Sequence, residues 1–339
     1  MARSKTLKTV TRKDIAAAAG VSETIVSYVI NGNRYVREDK RARVQQAIKD
    51  LKYRPNAMAR ALKGKRSHHI LFIADDITGE YFGRLIGEID RLAYKEDYFI
   101  TLCSDRPDED FVNRIYSRFF DGIIIGSATF PLANIQRLID SGVAVVLLEI
   151  RDYQSITGSF GLINTGLLKG IGQAVDALYE RGRRHLLFID RVSDSGQWSG
   201  VDDWRLGGFL DRCNALGIDS SIVSGAYSEE ELLEAVLARL ASNERVDGII
   251  GRNDLCALIG MQGCKHVGLI VPQEVSVIGF DDTRICRYCS PTLSSVAISQ
   301  KRIAYAVIEM MMSLIGAEKG KQKPLKTYLD TALVIRESV

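Results

Sequence analysis

From residue 69 onward, short runs rich in Val, Ile and Leu alternate with amphipathic stretches of helical period. No other feature of this 339-residue chain narrows its fold as much. Strand-sized runs occupy 69–74, 98–103, 122–125, 144–148, 185–190, 248–251 and 275–280. Helical stretches lie between them, among them 82–95, 167–181, 204–216, 229–241 and 303–315. Runs that are apolar throughout, rather than at every second position, belong to strands buried on both faces, the pattern of doubly wound parallel sheets. There are too many such units for one sheet. Two α/β lobes are expected, with ligand groups at the C-terminal strand ends facing a cleft.

The first 66 residues do not follow this pattern. They carry 17 Lys and Arg against 5 Asp and Glu, a charge of +12, whereas the whole chain carries +3 and the remainder therefore −9. A compact basic module on an acidic body points to a polyanion partner at one end only, since Lys and Arg on phosphates supply non-specific nucleic-acid affinity. No apolar run reaches the ~18–20 residues of a membrane span. The basic N-terminus leads into no hydrophobic stretch, so no secretory signal is expected. A cytoplasmic protein without a membrane partner is the expectation.

Helical period then resolves the basic module. Thr11 and Asp14 have the spacing of a capping box, an Ala-rich run from Ile15 ends at Gly20, and Val21 follows as an apolar plug. Ser22 caps a second helix over 23–30, stopped at Asn31 and Gly32, and a third is expected over 38–52. Helix, Gly turn and short helix make a helix-turn-helix, whose second helix enters the major groove N-terminus first. That placement presents Ser22, Glu23, Thr24, Ser27 and Tyr28 to bases or phosphates. After Pro55 a short Ala-rich basic segment, 56–66, carries one conspicuous apolar residue, Leu62, beside cations. Such a segment can order on DNA and insert its apolar side chain into a minor-groove step.

In the acidic body, Glu149, Asn253 and Asp281 stand at strand ends and Arg205 opens a helix after a Gly-rich loop, with Tyr81, Phe82, Trp204 and Tyr227 on neighbouring loops. Carboxylates and an amide that accept from hydroxyls, an Arg fork and flat rings are the chemistry of a polyol or sugar pocket. Of the six cysteines, Cys286 and Cys289 alone have C-x-x-C spacing. A zinc site would need a second matched pair, so no metal or cofactor is expected.

Several motifs taken together resemble the LacI/GalR family of bacterial transcription regulators. In the basic module these are Asp14-Ile15-Ala16, Ala19-Gly20-Val21-Ser22, Val26-Ser27, Asn31-Gly32, Tyr53-Arg54-Pro55-Asn56 and Ala59-Arg60-Ala61-Leu62. In the body they include Arg205-Leu206-Gly207-Gly208-Phe209, Asn253-Asp254 and Val275-Ser276-Val277-Ile278-Gly279-Phe280-Asp281-Asp282. The resemblance implies a small all-α helix-turn-helix headpiece (1–54), a hinge helix or linker (55–67) and an α/β periplasmic-binding-protein-like effector domain (68–339). Its two doubly wound lobes would be 68–166 plus 299–329, and 167–298 plus 330–339. It also implies a repressor of sugar-utilisation genes that binds a pseudo-palindromic double-stranded DNA operator as a homodimer, associated with the nucleoid. Thr11, Asn31, Arg54, Asn56, Arg60 and Lys63 join the DNA-contacting set, and Leu62 takes the position of the leucine that opens the operator's central step. Tyr81, Phe82, Glu149, Arg205, Tyr227, Asn253 and Asp281 form the expected effector set. The chain departs from the family at Tyr28, Arg37, Ile163, Ser294-Ser295, Ile298 and a longer loop around Trp198.

Two other readings compete. An enzyme could hold Mg²⁺ on Asp75-Asp76, Asp202-Asp203 or Asp281-Asp282, but there is no phosphate-binding G-x-x-x-x-G-K-[ST] loop and no G-x-S-x-G elbow. A solute-binding protein would use the same cleft yet leave the basic module without a purpose.

Overall fold

The computed structural model describes residues 10–32, 34–53, 66–75, 77–106, 109–193, 196–317 and 325–339. The chain divides into two compact units, Met1–Ser67 and His68–Val339.

The first unit holds three helices: α1 (Arg12–Ala19), α2 (Glu23–Asn31) and α3 (Glu38–Asp50). Its boundaries follow from local chemistry. Thr11 accepts from the Asp14 N–H while the Asp14 carboxylate accepts from the Thr11 N–H, a complete capping box. Gly20 ends α1 at φ 63°, a left-handed conformation in which a Cβ is strained. Ser22 accepts from the Ile25 N–H at the start of α2. Arg37 precedes α3 without a side-chain cap, and α3 ends two residues before the expected Lys52. Ile15, Val26 and Val44, all fully buried, form the centre of this unit's core with Ala16, Ala19, Ala47 and Tyr53.

The second unit is built on two six-stranded sheets. Its strands are β1 (His69–Ala74), β2 (Phe99–Ser104), β3 (Gly122–Gly126), β4 (Ala144–Glu149), β5 (Gly161–Asn164), β6 (His185–Ile189), β7 (Asp219–Val223), β8 (Gly248–Gly251), β9 (Ser276–Phe280), β10 (Ser294–Ala297), β11 (Leu325–Tyr328) and β12 (Ala332–Val334). The first sheet runs β11-β5-β4-β3-β1-β2 with every pairing parallel. The second runs β12-β10-β9-β8-β6-β7, parallel except for β12. The chain crosses between sheets after β5, after β10 and after β11.

Helices α4 (Glu80–Ala93), α5 (Glu109–Tyr116), α6 (Leu132–Asp140) and α11 (Gln300–Gly316) flank the first sheet. Helices α7 (Leu167–Glu180), α8 (Trp204–Leu216), α9 (Glu229–Leu240) and α10 (Asp254–Val267) flank the second. One continuous core reaches from Ile70 and Phe72 in the first sheet to Phe188 and Phe280 in the second. Strands β1, β3, β6, β8 and β9 are buried almost throughout, which is why they read as unbroken apolar runs. Among the described residues no helix is long and apolar enough to cross a membrane.

Candidate effector cleft and DNA-contacting helix

In each sheet the strand order reverses beside the first strand laid down, between β1 and β3 and between β6 and β8. Loops leaving adjacent C-terminal strand ends part there, and the gap is a crevice for ligands. A cleft of about 940 Å³ occupies this position, lined from both sheets. Asp75 follows β1, Asp105 follows β2 and Thr129 follows β3 by a short loop, whereas Arg191, Arg252 and Asp281 follow β6, β8 and β9. A Cβ on Gly251 would lie 2.2 Å from the Ala257 nitrogen, so glycine lets α10 start hard against β8 and brings Asn253 to the wall.

The floor is ionic. Arg252 donates to Asp203 at 2.6 Å and stands 3.9 Å from Asp190, all three side chains being at most 5% exposed. Burial would raise the Asp203 carboxyl, but Arg252, Arg205 and the N–H groups that it caps at the start of α8 hold it below the usual carboxylate range. The Asp190 carboxylate accepts from Ser199 and Ser224, which ties the longer Trp198 loop to β6. Arg191 donates to Asp75 at 2.7 Å, joining the two sheets across the cleft.

Above this floor sit groups without partners. Arg205 lies 3.7 Å from Asp281, too far for a hydrogen bond; Asp281 is buried and the Arg205 side chain is 11% exposed. Asp281 Oδ1 and Arg205 Nε have no hydrogen-bond partner. Asp281 adopts φ 97°, a conformation that costs about 1–3 kcal/mol in a residue with a Cβ and that concentrates at functional sites. Its N–H on Val296 and the Asp282 N–H on Ser295 hold it there. Burial pushes the Asp281 carboxyl up to about 7 against the pull of Arg205. Burial, and then the Asp281 charge, raise the Tyr81 hydroxyl, so a first-sheet ring and a second-sheet carboxylate are electrostatic neighbours. Tyr81 packs edge-on against Phe82 at 5.2 Å.

A carboxyl raised in the folded state keeps a proton that the unfolded chain has released. Between the ordinary Asp value and about 7, the Asp281 contribution to stability therefore falls as pH rises, with a slope of up to about 1.4 kcal/mol per pH unit. Asp281→Asn should flatten that slope in urea melts taken across this window. Parallel wild-type and variant curves would mean that Asp281 titrates normally.

The structure brings Tyr81, Phe82, Arg205, Asn253 and Asp281 to the cleft wall and leaves Glu149 and Tyr227 off it. Glu149 falls between Leu148 and Ile150, which do line the cleft, at a tight turn closed by the Ile150 N–H on the Leu148 carbonyl at 2.8 Å. Tyr227 is 54% exposed and packs edge-on against Trp198 at 5.1 Å. Trp204 begins α8 and packs against the core instead of the cleft. The carbonyl oxygen of the Asn253 carboxamide caps α10 by accepting from the Cys256 N–H at 2.9 Å. Sequence reasoning missed Arg191, Arg252 and Asp105. Arg191 and Arg252 each stand directly after an apolar strand run, the position that singled out Asp281.

The acidic pairs of the enzyme reading are engaged with arginines: Asp75 with Arg191, Asp202 with Arg151, Asp203 with Arg252 and Asp282 with Arg287 and Arg336. Among the described residues no group of His, Cys, Asp or Glu could hold a metal ion. Cys286 is buried and Cys289 partly so, and burial raises both thiols.

On the first unit, Ser22, Glu23, Thr24 and Asn31 are exposed on α2, and Ser27 and Tyr28 are half-buried. Ser27 Oγ receives Arg12 and Asn31, and the Arg34 guanidinium lies over the Tyr28 ring at 5.3 Å. Exposed Ser22 already caps α2, so its hydroxyl proton is what it can offer a phosphate, whereas the Thr11 hydroxyl donates to the Asp14 carboxylate at 2.7 Å. Arg54, Asn56, Arg60, Leu62 and Lys63 lie outside the described residues, as does Asp76.

Comparison with known proteins agrees with both units. Residues 11–56 match the model of bacterial regulatory proteins of the lacI family, and residues 175–339 match that of a periplasmic binding protein-like domain. The HTH-type transcriptional repressor PurR of Pectobacterium carotovorum subsp. carotovorum (strain PC1) is 28% identical over 337 residues, 97% of this chain and 96% of that protein. PurR of Yersinia pestis (strain Pestoides F) is 29% identical with the same coverage. The Lac repressor dimer bound to operator and the anti-inducer ONPF superposes with a TM-score of 0.80 at 20% identity, over 98% of this chain and 99% of that one. The transcriptional regulator CelR in complex with cellobiose gives 0.65 at 22% identity, over 97% and 100%. The helix-turn-helix unit and the two parallel-sheet lobes are the fold of these regulators, and the PurR relatives are repressors and not enzymes. On these grounds the chain belongs to the LacI family of bacterial transcription regulators and binds DNA.

Proposed function

We propose that this protein is a transcriptional repressor whose operator affinity is set by a small hydroxylated effector, a sugar or sugar derivative, held in the cleft. The observation that carries the reading is the convergence of Arg205 and Asp281 with Tyr81 and Phe82, polar groups from one sheet and rings from the other. Arg205 Nε and Asp281 Oδ1 are a donor and an acceptor buried without partners, a pair that hydroxyls satisfy in both directions. CelR with cellobiose and an Arthrobacter regulator with lactose share the fold and lend the sugar class support.

A ligand that touches both sheets binds the closed cleft better than the open one and shifts the equilibrium by that difference. Coupling of about 1–3 kcal/mol changes operator affinity about 5- to 150-fold, enough for a switch. One headpiece reads too few bases for genomic specificity, so a homodimer on a pseudo-palindrome is part of the proposal. So are a cytoplasmic site of action, where the DNA is, and the division into headpiece, hinge and effector domain. Ser22, Glu23, Thr24, Ser27, Tyr28, Asn31 and Thr11 supply base and phosphate contacts. The hinge residues Arg54, Asn56, Arg60 and Lys63 add phosphate contacts, and Leu62 opens the central step.

The test is fluorescence anisotropy on operator DNA with a sugar panel. Arg205→Ala should keep operator binding and lose the sugar's effect on it. A variant that responds with an unchanged midpoint would show that the pocket is elsewhere.

A further inference from the structure

Arg191 and Arg252 both leave the C-terminal end of a second-sheet strand and line the cleft, yet they use their guanidiniums differently. Arg252 is held between Asp203 and Asp190. Arg191 reaches one acid, Asp75, and donates to it through Nη1 alone, at 2.7 Å. Its Nε and Nη2 are buried and have no hydrogen-bond partner. These two nitrogens form the edge of a guanidinium that presents two parallel N–H bonds.

Asp75 makes no claim on that edge. It also accepts from the Ala128 N–H and the Thr129 hydroxyl, and Asp105 beside it accepts from Ser127 and Thr129. Along the described cleft wall the polar atoms buried without partners are Arg191 Nε and Nη2, Arg205 Nε, Asp281 Oδ1 and Thr165 Oγ1. The three arginine nitrogens only donate, the carboxylate oxygen accepts, and the hydroxyl does either. Unpartnered donors therefore outnumber acceptors. Every hydroxyl of a neutral sugar brings a proton to be placed along with its oxygen. A carboxylate brings two accepting oxygens and no proton, and hydrogen bonds between charged partners are the stronger kind.

We infer that the Nε–Nη2 edge of Arg191 is a carboxylate subsite, so that the effector is a sugar acid, a uronic or aldonic acid in chemical class. The inference rests on the sugar-cleft reading above and refines it. The two carboxylate oxygens take the Nε and Nη2 N–H groups side by side, while ring hydroxyls meet Arg205 and Asp281. A single negative charge suits this place. Arg191 already shares its charge with Asp75, so a phosphate dianion would stand beside that carboxylate with one charge uncompensated.

The experiment is calorimetric titration of the full chain, at neutral pH, with matched sets. These are glucose, glucuronate, gluconate and glucose 6-phosphate, and the corresponding galactose and mannose series. In a set that binds, the better acid should bind about tenfold more tightly than its parent sugar, the size of one charge-assisted hydrogen bond. Arg191→Lys keeps the positive charge and the partner for Asp75 but has no planar edge. It should cut the preference for the acid to about threefold or less. The ratio is read within the variant, so any general weakening cancels. Arg205→Ala should weaken acid and parent alike. A parent sugar that binds as tightly as its acids, or a preference that survives Arg191→Lys intact, overturns the carboxylate subsite and leaves the sugar cleft standing. A phosphate that binds more tightly than both acids overturns it in favour of a dianion site. If no member of any set binds, the subsite and the sugar reading fall together.

Discussion

Ile15→Ala is expected to abolish most operator binding while the effector unit melts at its usual temperature. Ile15 is fully buried between the three helices of the first unit, in contact with a core that numbers few large side chains. Truncating a buried Ile to Ala costs about 2–5 kcal/mol. A domain this small buries only about 60% of the surface that its unfolded chain exposes, and its reserve is a few kcal/mol. The substitution therefore uses up most or all of that reserve. Apparent DNA affinity falls with the fraction of folded headpiece, about ten- to a hundredfold when two are needed on one operator. The second unit has its own cores, none of which includes a headpiece residue. Differential scanning calorimetry should show one lost or lowered transition and one unchanged. Equal destabilisation of both would mean that the units do not fold independently.

The second large effect is expected from Arg252→Ala. The substitution leaves Asp203, 2% exposed, and Asp190, fully buried, without the guanidinium between them. Removing one partner of a buried ion pair costs about 3–5 kcal/mol because the charge left behind is uncompensated. In a unit of this size that lowers the melting temperature by roughly 10 °C. The pH dependence gives a signature that a packing defect lacks. With Arg252 present, the folded Asp203 carboxyl lies below its unfolded value. Its stabilisation is then complete above the ordinary carboxylate pKa and is lost only as pH falls through the depressed value. Without Arg252, burial raises this carboxyl, so the variant loses stability as pH rises above the ordinary value. The gap between wild type and variant should therefore widen from mildly acidic to neutral pH. A gap of equal size at both would assign the loss to the cavity and not to the charge.

The same two residues mark the limit of what could be read from the chain alone. Thr11 with Asp14, Gly20 at the end of α1 and Ser22 at the start of α2 were legible because a cap is settled within three or four residues. Strands β1, β3, β6, β8 and β9 were legible because burial on both faces leaves them apolar except for a His or Ser at the first position of β1, β6 and β9. Asn253 and Asp281 could be picked out because, in a doubly wound fold, residues just past a C-terminal strand end face the crevice, and Arg205 because it opens a helix after a Gly-rich loop.

Strands β11 and β12 could not be read in this way. They are short and half exposed, and they owe their pairing to the open edges of β5 and β10. Nor was it legible that Glu149 stays off the cleft wall, because β4 ends there in a tight turn that the Ile150 N–H closes on the Leu148 carbonyl. Tyr227 met Trp198 through the loop that Asp190 anchors, and no spacing in the sequence announces that contact. Local sequence thus determined where helices and buried strands begin and end, and which end of each strand bears chemistry. Only the tertiary structure decided which charges meet, since Arg191 and Asp75 stand 116 residues apart and Arg252 and Asp203 stand 49 apart. Caps and periods act over a few residues of contiguous chain. Ion pairs and cleft walls form between strands whose order in the sheet depends on crossovers that local sequence does not encode.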